Sequence, residues 1–144
     1  MLFRNIMVPY DGSNCSRHAF KIALNMAKKY NSELTVVTCI GKYYQGFWIH
    51  DNRLADMDFK RQYKGAKEAH KKLIEMAGRS NVEINSTVLQ GAKIADVLSK
   101  FAKSEKIDLI VMGSHGRTGL TKALLGSVAN GILQLVRCPV LVVK

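Results

Sequence analysis

Two hydrophobic periods alternate along the chain, and they predict strands and helices in turn. Short runs that are apolar at almost every position, such as Ile6 to Val8, are typical of strands buried in a parallel sheet. Between these runs the apolar residues recur at steps of three and four, as at Ala19, Ala23 and Ala27. This second period indicates amphipathic helices. The pattern therefore predicts a chain in which strands and helices alternate.

The first strand and helix have clear boundary signals. Pro9 and an Asp-Gly pair end the first apolar run near Tyr10, as expected where a buried strand leads into a loop. A helix is predicted from Ser13, with Ser13 or Asn14 as its N-cap, because both side chains can accept a hydrogen bond from the first free amides.

The rest of the chain continues the alternation. Strands are predicted at residues 33–40, 82–91, 107–113 and 138–144, and helices at 53–77, 93–106 and 127–137, the long one ending at Gly78. Five strands separated by four helices imply right-handed crossovers and a doubly wound α/β domain, with a parallel sheet and helices on both faces. Ligands of such domains bind beyond the carboxyl ends of the strands, where the winding reverses. The segments PYDGS and MGSHG lie at two such ends.

A glycine-rich stretch near the end of the chain needs an explanation, because glycine weakens helices and strands. It reads VMGSHGRTGLTKALLGSVANGIL and covers residues 111–133. We expect the missing side chain of Gly113 to let a ligand lie against the main chain, and Gly116 to let the loop form a nest of N–H groups. Ser127 is predicted to be the N-cap of the last helix. An anion such as phosphate would bind well at that helix end.

Composition limits the classes of protein to which the chain can belong. Its 144 residues, 47% of them apolar, fit one domain covering residues 1–144 with a single core. The apolar run at the N-terminus is too short for the hydrophobic region of a signal peptide, and no stretch is long and apolar enough to span a membrane. We therefore expect a cytoplasmic protein without membrane contact. Three widely spaced cysteines form no metal-binding pattern and are expected to be reduced.

A formal charge of +11 favours anionic partners. A stripe of basic residues recurs at helical steps on the predicted long helix. It consists of Lys60, Lys64, Lys67 and Lys71. The stripe is either a solvated face or a surface that binds nucleic acid or another polyanion. Aromatic residues of the preceding loop could pack a subunit contact or cover a ligand. They are Tyr43, Tyr44, Phe47 and Trp48.

The spacing Gly113-x2-Gly116-x9-Gly126-Ser127 resembles the nucleotide-binding signature of the universal stress protein family, in its ATP-binding branch. The resemblance continues in IMVPYDGS, IDLIVMGSHGRTGL and CPVLVVK, and so covers nearly the whole chain. It implies a Rossmann-like sheet with strand order 3-2-1-4-5, and a nucleotide between the ends of strands one and four. It also implies a role in stress response.

The resemblance assigns roles to individual residues. Asp11 would take the ribose hydroxyls or act near the metal, and Pro9, Tyr10, Cys39 and Met112 would lie near the adenine. Ribose and phosphates would be held mainly by main-chain N–H groups of Gly113, Gly116, Gly126, Ser127 and Val128. The implied ligand is ATP, with ADP or AMP as alternatives, and Mg²⁺ or Mn²⁺ would bridge the phosphates without protein ligands. The GxxxxGK[ST] motif of P-loop proteins is absent.

Two residues of the glycine loop have side chains suited to phosphate chemistry. Arg117 is expected to contact phosphate, since its guanidinium matches phosphate oxygens. His115 invites a catalytic role, but no Ser/Asp partner stands at a recognisable spacing, so we assign no catalytic residue. A binding protein is therefore favoured over a slow ATPase or an autophosphorylating enzyme. The acceptors in that alternative would be Ser127, Ser114 or Thr118.

The sequence of the last predicted strand indicates that two chains associate. CPVLVVK would form an apolar edge, which is a liability unless another chain covers it. The family commonly dimerises through this strand, and we expect a homodimer. A further protein partner is expected for a regulatory protein, although the residues do not identify it.

Overall fold

The computed structural model describes residues 2–41, 52–116 and 124–144. These residues form five strands and four helices in strict alternation, as the hydrophobic pattern predicts. In chain order they are β1 (Asn5–Pro9), α1 (Asn14–Tyr30), β2 (Glu33–Gly41), α2 (Asn52–Arg79), β3 (Ile84–Gly91), α3 (Ile94–Ser104), β4 (Leu109–Gly113), α4 (Ser127–Leu135) and β5 (Val140–Val143).

All strand pairs are parallel, and the order across the sheet is β3-β2-β1-β4-β5. The order implied by the family resemblance is confirmed. Crossovers wind in one direction from β1 to β3 and in the other direction from β4 onward. The reversal lies between β1 and β4, which are neighbours in the sheet.

The sheet separates two hydrophobic clusters, because alternate residues of a strand point to opposite faces. Ile6 and Val8 of β1 pack with α1 and α2, whereas Met7 packs with α3 and α4. The central strands are therefore covered on both sides, which explains why their sequences are apolar at nearly every position.

Helix α1 begins as predicted. Ser13 is its N-cap, and the Ser13 hydroxyl accepts a hydrogen bond from the Ser16 amide at 3.2 Å. At its C-terminus Asn31 adopts a left-handed conformation, with φ of 55°. No helix among the described residues combines the length and hydropathy that a bilayer span requires.

Candidate functional site

A cleft of about 300 Å³ opens at the carboxyl ends of β1 and β4. This is the point where the winding of the sheet reverses, the usual place for a ligand in a doubly wound fold. Residues of β2, α3 and α4 complete its walls. Pockets for small molecules in proteins typically measure roughly 300–1,000 Å³. The cleft is therefore large enough for a small-molecule site.

The turn after β1 forms one wall and is held by short hydrogen bonds. The Tyr10 amide donates to the Val37 carbonyl at 2.8 Å, and the Ser13 amide donates to Asp11 Oδ1 at 2.9 Å. Gly12 lies between them with φ of 81°, a conformation that side chains disfavour. The turn thus orients the half-buried Asp11 carboxylate toward the cleft.

The segment after β4 forms the opposite wall. The Ser114 amide donates to the Val143 carbonyl, and the Ser114 carbonyl accepts from the Gly126 amide, both at 2.7 Å. Ser114 therefore ties the end of β4 to the residue that precedes α4. The Ser114 hydroxyl lies 2.9 Å from His115 Nδ1. The other ring nitrogen, Nε2, is buried and has no hydrogen-bond partner in the part of the chain that the structure describes.

The glycines of this region have a different physical role from the one expected. A Cβ atom on Gly113 would lie 2.6 Å from Cys15 Cβ of α1, so the missing side chain admits α1 rather than a ligand. A Cβ on Gly116 would lie 2.7 Å from Asp11 Oδ2, and one on Gly126 would lie 2.9 Å from the Ser114 carbonyl oxygen. Gly12 is the one described glycine with a positive φ, so Gly116 does not form the left-handed part of a nest. These glycines bring the walls of the cleft close to one another.

The N-terminus of α4 contributes main-chain donors. The prediction that Ser127 is the N-cap was wrong, because Gly126 has the extended cap conformation, with φ of −61° and ψ of 158°. The first helical bond runs from the Asn130 amide to the Gly126 carbonyl. No side-chain hydrogen bond caps this helix in the described residues. The amides of residues 127–129 therefore have no acceptor within the helix, and all three residues line the cleft.

The cleft also has an apolar part. Val37 and Cys39 of β2, Met112 of β4, and Ile94 and Leu98 of α3 form this part of the lining. Burial raises the pKa of the Cys39 thiol to about 11, so the thiol remains neutral at physiological pH. The cleft thus combines apolar side chains, which suit an uncharged flat group, with free amides, which suit an anion.

Every predicted site residue that the structure describes lines this one cleft. They are Pro9, Tyr10, Asp11, Cys39, Met112, Gly113, Gly116, Gly126, Ser127 and Val128. Arg117, the predicted phosphate contact, and Thr118, a predicted acceptor, lie outside the described residues. That these residues bind a nucleotide stays a prediction.

Sequence reasoning missed several wall residues. They are Ser13, Ser16, Val37, Ile94, Leu98 and Ala129. The two α3 residues could have been found, because α3 starts directly after the carboxyl end of β3. Its first turns therefore lie at the edge of the sheet where ligands bind. Their apolar side chains alone give no sequence signal of a ligand site.

The lysine stripe on α2 is solvated. All four lysines of the predicted stripe on α2 are exposed. Lys67 Nζ lies 5.6 Å from the centre of the Tyr63 ring. In the described residues no group of three or more His, Cys, Asp or Glu side chains could hold a metal ion. All three cysteines are free and half-buried.

The fold and the cleft together define a class: doubly wound α/β proteins with a ligand cleft where β1 and β4 meet. The sequence then identifies the family. A model of the universal stress protein family matches residues 2–144. The universal stress protein MJ0531 of Methanocaldococcus jannaschii is 36% identical over 99% of this chain and 83% of its own length. The chain belongs to the universal stress protein family.

Solved structures agree with this assignment. The universal stress protein UspA from Lactobacillus plantarum superposes with a TM-score of 0.89 at 22% identity, over 100% of this chain and 99% of its own. A universal stress protein crystallised in complex with cAMP has a TM-score of 0.75 and 25% identity, covering 100% and 99% of the two chains. The universal stress protein from Archaeoglobus fulgidus in complex with dAMP has a TM-score of 0.70 at 21% identity, covering 100% of both chains.

Proposed function

We propose that this protein binds an adenine nucleotide, with ATP as the ligand, in the cleft between the ends of β1 and β4. The observation that carries the proposal is that apolar side chains and the free amides of α4 line the same cleft. A nucleotide needs both, an apolar surface for its flat base and hydrogen-bond donors for its phosphates. The cAMP and dAMP complexes of two structurally similar proteins support this ligand class.

The walls suggest how each part of the nucleotide is held. The base would lie against Met112 and Cys39, where a neutral thiol and apolar side chains exclude water. Phosphates would receive hydrogen bonds from the first amides of α4 and benefit from the positive end of its dipole. Asp11 would contact the ribose or a metal ion carried by the phosphates. Mg²⁺ or Mn²⁺ would then come with the nucleotide.

A charge placed at the start of α4 tests the proposal. Titration calorimetry with ATP and Mg²⁺ on nucleotide-stripped protein should show saturable binding. Ser127→Asp should weaken ATP binding about tenfold or more, because the carboxylate repels the phosphates in a partly desolvated site. It should leave adenosine binding nearly unchanged. The helix itself should tolerate the change, since an acidic residue in its first turn is favourable.

A matched variant separates this local effect from the change in net charge. Asn85→Asp adds the same charge at an exposed position of β3 outside the cleft lining, and ATP affinity should stay within about twofold of the parent. Absence of ATP binding in the folded parent would refute the proposal. Equal losses in the two variants would refute the placement of phosphates at α4.

Ser114 and His115 favour one alternative, self-phosphorylation. Their 2.9 Å contact would let the imidazole take the hydroxyl proton while the γ-phosphoryl group passes to Ser114 Oγ and ADP leaves. Intact-mass measurement after incubation with ATP and Mg²⁺ distinguishes the two functions. A phosphate that is lost in Ser114→Ala would make the protein a slow enzyme, whereas an unmodified chain leaves it a binding protein.

The proposed role is regulatory and cytoplasmic: nucleotide binding would change contacts with a protein partner during stress. We also propose a homodimer formed through β5. Among the described residues this strand pairs with β4 alone, and Leu141 on it is 40% exposed. A second copy of β5 would cover this apolar edge.

A further inference from the structure

One buried histidine lies next to the cleft and has no part in the function proposed above. His70 of α2 is 1% exposed, and its Nε2 atom lies 2.6 Å from Thr38 Oγ1 of β2. The Thr38 hydroxyl in turn donates to the Tyr10 carbonyl at 2.6 Å. A continuous chain of hydrogen bonds therefore runs from α2, through β2, to the turn that lines the cleft.

The hydrogen count fixes the direction of this chain. A threonine hydroxyl has one hydrogen, and here it is donated to the Tyr10 carbonyl. Thr38 Oγ1 must therefore accept from His70, so Nε2 carries the proton and Nδ1 is left as a bare acceptor. In the described part of the chain Nδ1 is buried and has no hydrogen-bond partner.

Keeping this histidine costs stability. A buried acceptor without a partner is unfavourable, and an apolar side chain of similar size at position 70 would remove the problem. Positions that break a packing rule in this way are often functional. The neighbouring core residues Leu73 and Ala77 of the same helix are apolar, as packing alone would require.

We propose that His70 is a positioning residue: through Thr38 it holds the Tyr10 carbonyl, and so orients the Tyr10–Asp11 peptide for nucleotide binding. The inference rests on the proposed function. His70 acts from the α1 and α2 side of the sheet, behind the turn, because Thr38 follows Val36 on that face. Its hydrogen-bond connection to the turn runs through Thr38.

Four variants test this coupling by titration with ATP and Mg²⁺. His70→Leu should raise the Kd about fivefold, the usual effect of one positioning hydrogen bond. His70→Gln should restore most of the affinity, because its amide nitrogen can reach the place of Nε2. Thr38→Val should cost at least as much as His70→Leu. Thr38→Val with His70→Leu should bind no worse than Thr38→Val alone, since His70 acts only through Thr38.

Stability is the readout that separates positioning from a structural role. His70→Leu should unfold at the same urea concentration as the parent or a higher one, while its nucleotide affinity falls. His18→Leu is the matched control, because His18 is exposed on α1 and lies outside the cleft lining. Unchanged ATP affinity in His70→Leu would overturn the inference. An equal loss of ATP affinity when His70→Leu is made in the parent and in Thr38→Val would also overturn it.

A measurement without nucleotide keeps the inference testable if the proposed function fails. The Ser13 amide donates to Asp11 Oδ1 within the same turn, so its hydrogen exchange reports how firmly the turn is held. Exchange at Ser13 should be faster in His70→Leu and Thr38→Val than in the parent, and near the parent rate in His70→Gln. Parent-like exchange in all three variants would overturn the inference. Failure of ATP binding in the parent would refute the nucleotide proposal instead.

Discussion

The missing Cβ atoms of two glycines allow the walls of the cleft to lie close together. Gly113 leaves room for Cys15, and Gly116 leaves room for the Asp11 carboxylate. Both contacts join α1 or its preceding turn to the end of β4, across the reversal point of the sheet. A methyl group at either position would push the two walls apart. Glycine variants would therefore report on packing as well as on ligand binding, which makes Ser127 the better site for a binding test.

His70 gives a prediction about pH. Burial, with the nearby Lys67 charge as a smaller cause, lowers its pKa from 6.5 to about 4. Between these two values the unfolded chain carries a proton that the folded chain does not. The pH-dependent contribution of His70 to stability is thus zero above pH 6.5 and becomes increasingly unfavourable as the pH falls toward 4. Urea unfolding of the parent and of His70→Gln at several pH values measures this contribution.

Comparing the parent with His70→Gln isolates the titration of the His70 side chain. Carboxylates titrate in both chains, so their contribution cancels in the difference between the two free energies of unfolding. We expect the parent to lose stability relative to His70→Gln as the pH falls from 7 to about 4.5. Parallel curves over this range would contradict the prediction.

Two helix glycines show how packing between elements overrides helix propensity. Gly131 lies within α4, and a Cβ there would be 2.6 Å from Ala95 Cβ of α3. Gly65 lies within α2, and a Cβ there would meet nothing within 4 Å. Gly131→Ala should therefore destabilise the protein by about 1–3 kcal/mol through overpacking. Gly65→Ala should stabilise it by roughly 0.5–1 kcal/mol. Chemical denaturation of both variants checks the signs.

A compensating change tests the cause of the first effect. Ala95→Gly removes the atom that Gly131→Ala would meet, so the double variant should recover part of the stability lost in Gly131→Ala. If Gly131→Ala is as stable as Gly65→Ala, close contact between α3 and α4 is not the reason for this glycine.

Elements could be predicted from the sequence because each has its own period. Strand β1 and helix α1 were found within a residue or so, since Pro9 and Ser13 are strong local signals. The N-cap of α4 was misplaced by one residue. Serine has the higher preference for that position, but here the cap conformation falls on Gly126, which approaches the Ser114 carbonyl. Contacts across a long sequence separation of this kind leave no local signal.

At the scale of the whole molecule, topology explains why the position of the cleft was predictable. Alternating strands and helices imply a parallel sheet, and such a sheet gathers its carboxyl ends at one edge. Asp11 and Gly113 line the same cleft for this reason, although they are 102 positions apart in the sequence. The strand order came from the family resemblance, because periodicity does not specify which strands are neighbours. His70 and Thr38 could not be linked to the cleft in advance, since their bond depends on how α2 packs on β2.

The β5 edge of the sheet is the surface at which a second chain would join. In the strand order β5 lies at one end, and its outer main-chain groups face away from β4. Leu141 on β5 and Leu133 on α4 are 40% and 44% exposed. If two chains join at β5, Leu141→Lys should give the mass of one chain in sedimentation analysis, because burying a lysine charge at the interface is costly. The parent should sediment with the mass of two chains.

Leu54→Lys is the matched control for this experiment. Leu54 is 60% exposed on α2, so the same exchange of leucine for lysine should leave the dimer intact there. A parent that sediments as a single chain, or a Leu141→Lys variant that remains paired, would exclude assembly through β5. Leu141 does not line the cleft, so ATP titration of Leu141→Lys adds a further distinction. Unchanged affinity would show that each cleft is complete within one chain, whereas weaker binding would mean that dimerisation helps to shape the nucleotide site.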